Sequence, residues 1–244
     1  MMSNSYDVII AGAGPAGAQC ARDLADRGYD VVVLETEAED EFPAQSNKST
    51  GGTFASMMTS FGIPDDVVMH ATESVVLESP NEHFIQDQPG FVLDFEAFKK
   101  YLVEDGRHKD AEYRFDARVR EPIIEDGDVV GVRYNSDQEI YGEIVIDATG
   151  PAAPLAKDLG ISDLERKNHA IGIEYLFEGV DLNHPDFADE FIYCAGINPI
   201  FDAGRGAAVL VCFCRRIYRG ADIFTARAFY LPPCFFTKEK KKLI

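Results

Sequence analysis

The chain has 244 residues, a formal net charge of −19 and 46% apolar residues, enough to bury a core and too many for an extended disordered chain. No apolar run reaches the roughly 18 residues of a membrane-spanning helix, and the opening MMSNSYDVII has neither a basic leader nor a cleavage site, so a cytoplasmic protein is expected. With Asp and Glu outnumbering Lys and Arg by 42 to 23, no basic face is expected to neutralise phosphates, which disfavours a nucleic-acid partner.

YDVIIA at 6–11 is short, β-branched and continuously apolar, the pattern of a buried strand. Helical spacing follows from Pro15 to about Arg27, closed by Gly28, and VVVLE at 31–35 predicts a second buried strand. Strand, glycine turn, helix and strand form a βαβ unit, which implies a parallel sheet. Residues 36–53 are polar, contain Pro43, Gly51 and Gly52, and are expected to form a long loop. FASMMTSFG predicts a short helix, and LDFEAFKKYLVEDG at 93–106 a longer one with Phe95, Phe98 and Leu102 on one stripe. From Tyr113 to Ile146 the pattern turns to strands, with a hairpin at Asp126-Gly127. YGEIVIDATG runs as a further strand into a glycine turn, APLAKDLG is a short helix closed by Gly160, and residues 169–182 are strand-like. The fold class is therefore α/β: a Rossmann-like domain with a parallel sheet plus an antiparallel β-meander, then the start of a second sheet.

Gly12, Gly14 and Gly17 form G-x-G-x-x-G between a strand and a helix. In such a turn the first glycine permits the tight bend, the second lets a pyrophosphate approach the backbone, and the third lets helix and strand pack closely. The free N–H groups of the helix start, within Gly12, Ala13, Gly14, Pro15, Ala16 and Gly17, favour a diphosphate. Glu35 ends the second strand, where an acid can accept hydrogen bonds from ribose hydroxyls and repels a 2′-phosphate. NADP is thereby disfavoured, while FAD and NAD both fit.

GAGPAG close to the N-terminus resembles the opening of FAD-dependent oxidoreductases, and EIVIDATG at 143–150 resembles their strand and turn beside the flavin, so FAD is the expected cofactor. The order of glycine turn, Glu35, NKSTGG, VLDFEAFKKYLVEDG, ARV, EDGDVVGVRY and DATGPAAPLAKDLG resembles the geranylgeranyl reductase family of flavoproteins, of the archaeal lipid-saturating kind, over about residues 5–188. Its early motifs are shared with flavin monooxygenases, halogenases and lycopene cyclases. The resemblance implies that Gly12, Gly14 and Gly17 hold the FAD diphosphate, Glu35 the adenosine ribose, and Val119 the adenine through its backbone. It sets Thr149 and Gly150 in the turn near the flavin, and Thr50, Gly51 and Gly52 in a glycine loop near the isoalloxazine. Thr50 stands where many relatives have a cysteine, and Asp94 where many have an arginine.

The family resemblance implies reduction of isolated double bonds in isoprenoid chains, with a lipid substrate and an electron donor, either ferredoxin or a nicotinamide cofactor. A peripheral contact with the membrane would follow from that substrate. No catalytic residue is identified, and the histidines show no metal-ligand spacing; Cys212-x-Cys214 alone is half a metal site at most. The other readings are a different flavoenzyme, such as a monooxygenase, halogenase or cyclase, and a non-catalytic flavin-binding fragment.

Composition changes near residue 190. Residues 1–190 hold 39 acidic and 14 basic residues, and residues 191–244 hold 3 and 9. Four of the five cysteines also lie in the last 54 residues. The acidic part, with six lysines, suggests adaptation to concentrated salt, an ordinary acidic protein being the alternative. The expected organisation is a FAD-binding domain over 1–165, the start of a substrate domain over 166–188, and an atypical tail over 189–244. A reading-frame change or a foreign end would explain that tail, and a variant domain is the competing reading.

Overall fold

The computed structural model describes residues 5–43, 51–78 and 83–161, with the backbone of four further strands within 172–231. In chain order the elements begin with β1 (Ser5–Ala11), α1 (Pro15–Ala25), β2 (Val31–Leu34), β3 (Gly52–Phe54) and α2 (Ala55–Ser60). Next come β4 (Val68–Glu78), β5 (His83–Leu93), α3 (Phe95–His108), β6 (Glu112–Arg114), β7 (Val119–Glu125) and β8 (Asp128–Tyr134). They end with β9 (Gln138–Asp147), α4 (Pro154–Asp158), β10 (Gly172–Glu178), β11 (Phe191–Gly196), β12 (Ala208–Tyr218) and β13 (Ala221–Leu231). Short 3₁₀ turns occupy Asp65–Val67 and Gly150–Ala152. Two compact units interleave along the chain: Met1–Lys48 with Glu96–Asp163, and Ser49–Phe95 with Leu164–Ile244.

The first unit holds a six-stranded sheet in the order β6-β2-β1-β9-β8-β7. β6, β2, β1 and β9 run parallel, and β9, β8 and β7 form the antiparallel meander. The apolar runs of β1 and β2 are continuous because both faces of a parallel strand are covered. Ile9 and Val32 join Val132, Ile140 and Leu155 in one buried cluster, while Ile10, Val31 and Val33 are also fully buried. α1 buries its small residues Gly17, Ala18, Ala21 and Ala25, so its backbone can lie close to its neighbours.

One charge is buried with them. Arg22 on α1 donates through Nε to Asp105 Oδ2 on α3 at 2.7 Å, and to Gln19 and Tyr101 at 2.9 and 3.2 Å. Burial acts to raise the Asp105 carboxyl, but the hydrogen bond and charge of Arg22, with those of Lys109, outweigh it and hold the group below its ordinary value. The hairpin between β7 and β8 turns at Asp126 and Gly127, both with positive φ (51° and 95°), as a two-residue type I′ connection requires.

The second unit holds a seven-stranded sheet in the order β10-β13-β12-β11-β4-β5-β3, antiparallel except where β11 runs beside β4. β4 and β5 are not predicted by the sequence pattern. Their pairing slips twice, between Val68 and His70 and between Thr72 and Ser74, which breaks the period of two. The second slip takes Pro89 out of the ladder, since Thr72 pairs with Gly90 and Ser74 with Asp87. The long loop expected over 36–53 gives way at Gly52 to β3, and the helix expected over 54–62 is α2. Strand-like residues 169–182 contain β10.

Candidate functional site

The carboxyl ends of β2, β1 and β9 lie side by side in the first sheet, and each runs into a turn. In an open α/β sheet this is the edge where ligands bind. After β1, Gly12 takes a φ of +100°, and its amide donates to Leu34 O at 2.8 Å. A Cβ on Gly12 would stand 2.7 Å from Ala148 O, and one on Gly17 would stand 2.0 Å from Gly12 O and 3.1 Å from the Ala148 Cβ. Both glycines are therefore demanded by the chain itself.

Gly14 is different. Its φ of −62° suits any residue, and a Cβ there would meet nothing within 4 Å. It precedes α1, whose first turn begins at Pro15, carries no acidic residue and receives no side-chain cap. Pro15 has no N–H to lose, so Ala16, which is exposed, and Gly17 contribute the first amides of the helix. The result is open space in front of uncapped donors at the positive end of an eleven-residue helix. That suits an anionic group brought close to the backbone, and a diphosphate fits it.

Glu35, just beyond β2, is held on four sides. Its amide donates to Arg114 O at 2.8 Å, and its carbonyl accepts from Ala117 N–H at 2.7 Å. Its carboxylate accepts from the amides of Ala13 at 2.7 Å and Glu37 at 3.0 Å. The acid is thus tied to the glycine turn on one side and to the 117–119 segment on the other. A carboxylate has about four acceptor positions, so ribose hydroxyls could still be received. Val119 opens β7 and is buried, paired with Tyr134.

After β9, Thr149 and Gly150 enter a 3₁₀ turn. Gly150 has a φ of +74° with open space around it, so the backbone conformation, not packing, calls for glycine. Thr149 donates from its hydroxyl to Asp147 Oδ1 at 2.5 Å. Asp147 escaped the sequence reading, although an Asp two residues before a Thr at a strand end is an Asx-turn signal.

In the second unit, Gly51 has a φ of +71°, and a Cβ there would stand 2.3 Å from Leu93 O. Gly52 opens β3 opposite Val92. Thr50 and the sequence expectations beyond Ile161, the four strand backbones apart, fall outside the described residues. Among those described, no helix is long and apolar enough to cross a membrane.

Comparison with known proteins turns this geometry into a class. A model of the FAD binding domain family matches residues 5–212, and the chain belongs to that family, whose cofactor is FAD. Within it, the chain is 65% identical over 188 residues to the digeranylgeranylglycerophospholipid reductase of Haloferax volcanii, covering 77% of this chain and 46% of that protein. It is 31% identical over 213 residues to digeranylgeranylglycerophospholipid reductase 2 of Methanopyrus kandleri, covering 83% and 53%. A geranylgeranyl bacteriochlorophyll reductase-like protein of Thermoplasma acidophilum shares the fold, with a TM-score of 0.73 at 19% identity over 92% of this chain and 56% of that one. The chain spans about half the length of the curated relatives it matches.

Proposed function

We propose that this chain binds FAD at the carboxyl edge of its parallel strands and belongs to an enzyme that saturates isoprenoid double bonds of archaeal-type lipids. The observation that carries the reading is the 65% identity with the Haloferax reductase, supported by the open, uncapped site at Gly14. In this reading Gly14 and the first turn of α1, from Pro15 through Ala16 to Gly17, receive the diphosphate, while Gly12 and Ala13, whose amides are bonded to Leu34 O and Glu35, shape the turn around it. Glu35 accepts the adenosine ribose while keeping its bond to Ala13. Val119 offers backbone to the adenine, and Thr149 and Gly150 border the flavin end. Thr50, Gly51 and Gly52 are assigned to the isoalloxazine by resemblance alone.

FAD supplies a hydride donor for an isolated carbon–carbon double bond; the protein's share is to bind, orient and exclude water. The substrate is an isoprenoid lipid, the electrons come from a ferredoxin or a nicotinamide cofactor, and a lipid substrate calls for peripheral contact with a membrane. The test uses the purified chain loaded with FAD, dithionite as reductant and a phospholipid with geranylgeranyl chains. Mass spectrometry should find one dihydrogen gained per saturated bond. Firmly bound FAD with an unchanged lipid would remove the reductase reading from this chain and leave the flavin site standing.

A further inference from the structure

Asp147 is the last residue of β9, and its two carboxylate oxygens serve different partners. Oδ1 accepts from the Thr149 amide at 3.2 Å and from the Thr149 hydroxyl at 2.5 Å. Oδ2 accepts from the amide of Ala156, in the first turn of α4, at 3.1 Å. One side chain thus ties the end of β9, the turn after it and the start of the next helix.

Ala148 lies between Asp147 and Thr149, inside that clasp. Its amide donates to Ala11 O at 2.9 Å, extending the register of β1 and β9 by one bond. Its carbonyl oxygen occupies the space a Cβ on Gly12 would need, and its methyl group lies against Gly17. The turn after β9 is therefore the wall against which Gly12 is fitted, and it also flanks Gly17, whose tightest neighbour is the Gly12 carbonyl oxygen.

We propose that Asp147 and Ala148 are positioning residues for the glycine turn. Asp147 fixes the turn that holds Ala148, and Ala148 bears on Gly12 and Gly17. The clasp thereby sets where Gly14 and the first amides of α1 stand before a diphosphate. The proposal rests on the FAD reading for the identity of the ligand, and on the geometry above for the coupling.

The two parts separate in one experiment on the full chain. Amide hydrogen exchange is followed in wild type, Asp147→Ala, Asp147→Asn and Thr149→Val, alongside affinity for FAD and for ADP, which retains the adenosine and diphosphate. In Asp147→Ala, exchange should rise in residues 148–156 and also in 12–18, while β8 stays as protected as before. Affinity for both ligands should fall about tenfold, the size of one hydrogen bond to a charged acceptor. Asp147→Asn keeps an acceptor oxygen for Thr149 but cannot serve all three donors, so it should recover part of both losses. Should Asp147→Ala unfold the whole unit, Thr149→Val removes only the hydroxyl bond and should give a smaller rise in the same two segments. Exchange that rises at 148–156 and stays unchanged at 12–18 would overturn the coupling. Wild-type protein that binds neither FAD nor ADP would overturn the flavin reading, while the exchange data would still decide the coupling.

Discussion

In the six-stranded sheet, β1 and β2 are covered on both faces, with Ile9, Ile10, Val31, Val32 and Val33 fully buried. In the seven-stranded sheet, Phe84 and Ile85 at the start of β5 are 58% and 40% exposed. Consecutive strand residues point to opposite faces, so that end of β5 is open on both. The first sheet has at its centre the parallel strands β1 and β2, whose apolar side chains are committed to a core, while its meander leaves Ile124 and Ile144 exposed. The second is mostly antiparallel, and its β4–β5 pair slips in register twice, as the β7–β8 pair of the first sheet's meander also does. A site that depends on close placement of backbone belongs on that buried parallel centre.

Three experiments would break or sharpen that contrast. The largest effect should come from Ile9→Ala, which empties a fully buried position and should cost about 4 kcal/mol in denaturant unfolding. Phe84→Ala should stay within about 0.5 kcal/mol. Equal losses would dissolve the distinction between the sheets.

Next in size is a pair within the glycine turn. Gly17→Ala drives a Cβ into backbone and should cost about 3 kcal/mol. Gly14→Val should leave the melting temperature close to wild type, yet abolish FAD binding in a flavin titration. Undiminished affinity in the Gly14 variant would remove the diphosphate from this turn.

The smallest effect concerns charge. Residues 1–190 have an excess of 25 acidic over basic residues, which includes all of the first unit. Added KCl shortens the Debye length from about 10 Å at 0.1 M to about 3 Å at 1 M and should relieve that repulsion. The melting temperature should rise across this range. A flat or falling trend would argue against salt adaptation.

What the sequence made legible follows the same division. The βαβ unit could be read because β1 and β2 are continuous apolar runs and Gly28 closes the segment after α1, with its amide on Ala25 O at 2.8 Å. The hairpin was legible because Asp126-Gly127 is what two positive φ values require. β4 and β5 were not: two register slips and Pro89 break their alternation, and, unlike β7 and β8, whose pairing also slips twice, they have no Asp-Gly pair between them to mark a hairpin. At the site, the three glycines announced themselves, but their separate reasons did not. Only the structure shows that Gly12 answers to Ala148, that Gly17 answers to the Gly12 carbonyl and then to Ala148, and that Gly14 answers to nothing inside the chain. The shift in charge near residue 190 falls within the family match and between two strands of the second sheet. Backbone pairing does not register surface composition.

The pairing of β1 with β9 joins residues that are far apart in the chain, with Ser5 opposite Tyr141. During synthesis β1 leaves the ribosome early, but its β9 neighbour follows more than a hundred residues later, after Ser49–Phe95 has gone to the other unit. Contacts of such separation form slowly, because a long loop must close before they can contribute. Until Ala148 arrives, Gly12 lacks the wall it is fitted against, and in the FAD reading proposed above the glycine turn is not yet set for its ligand. Cofactor capture is thereby placed late in biogenesis, when the apolar flank of β1 has already been at risk of pairing elsewhere.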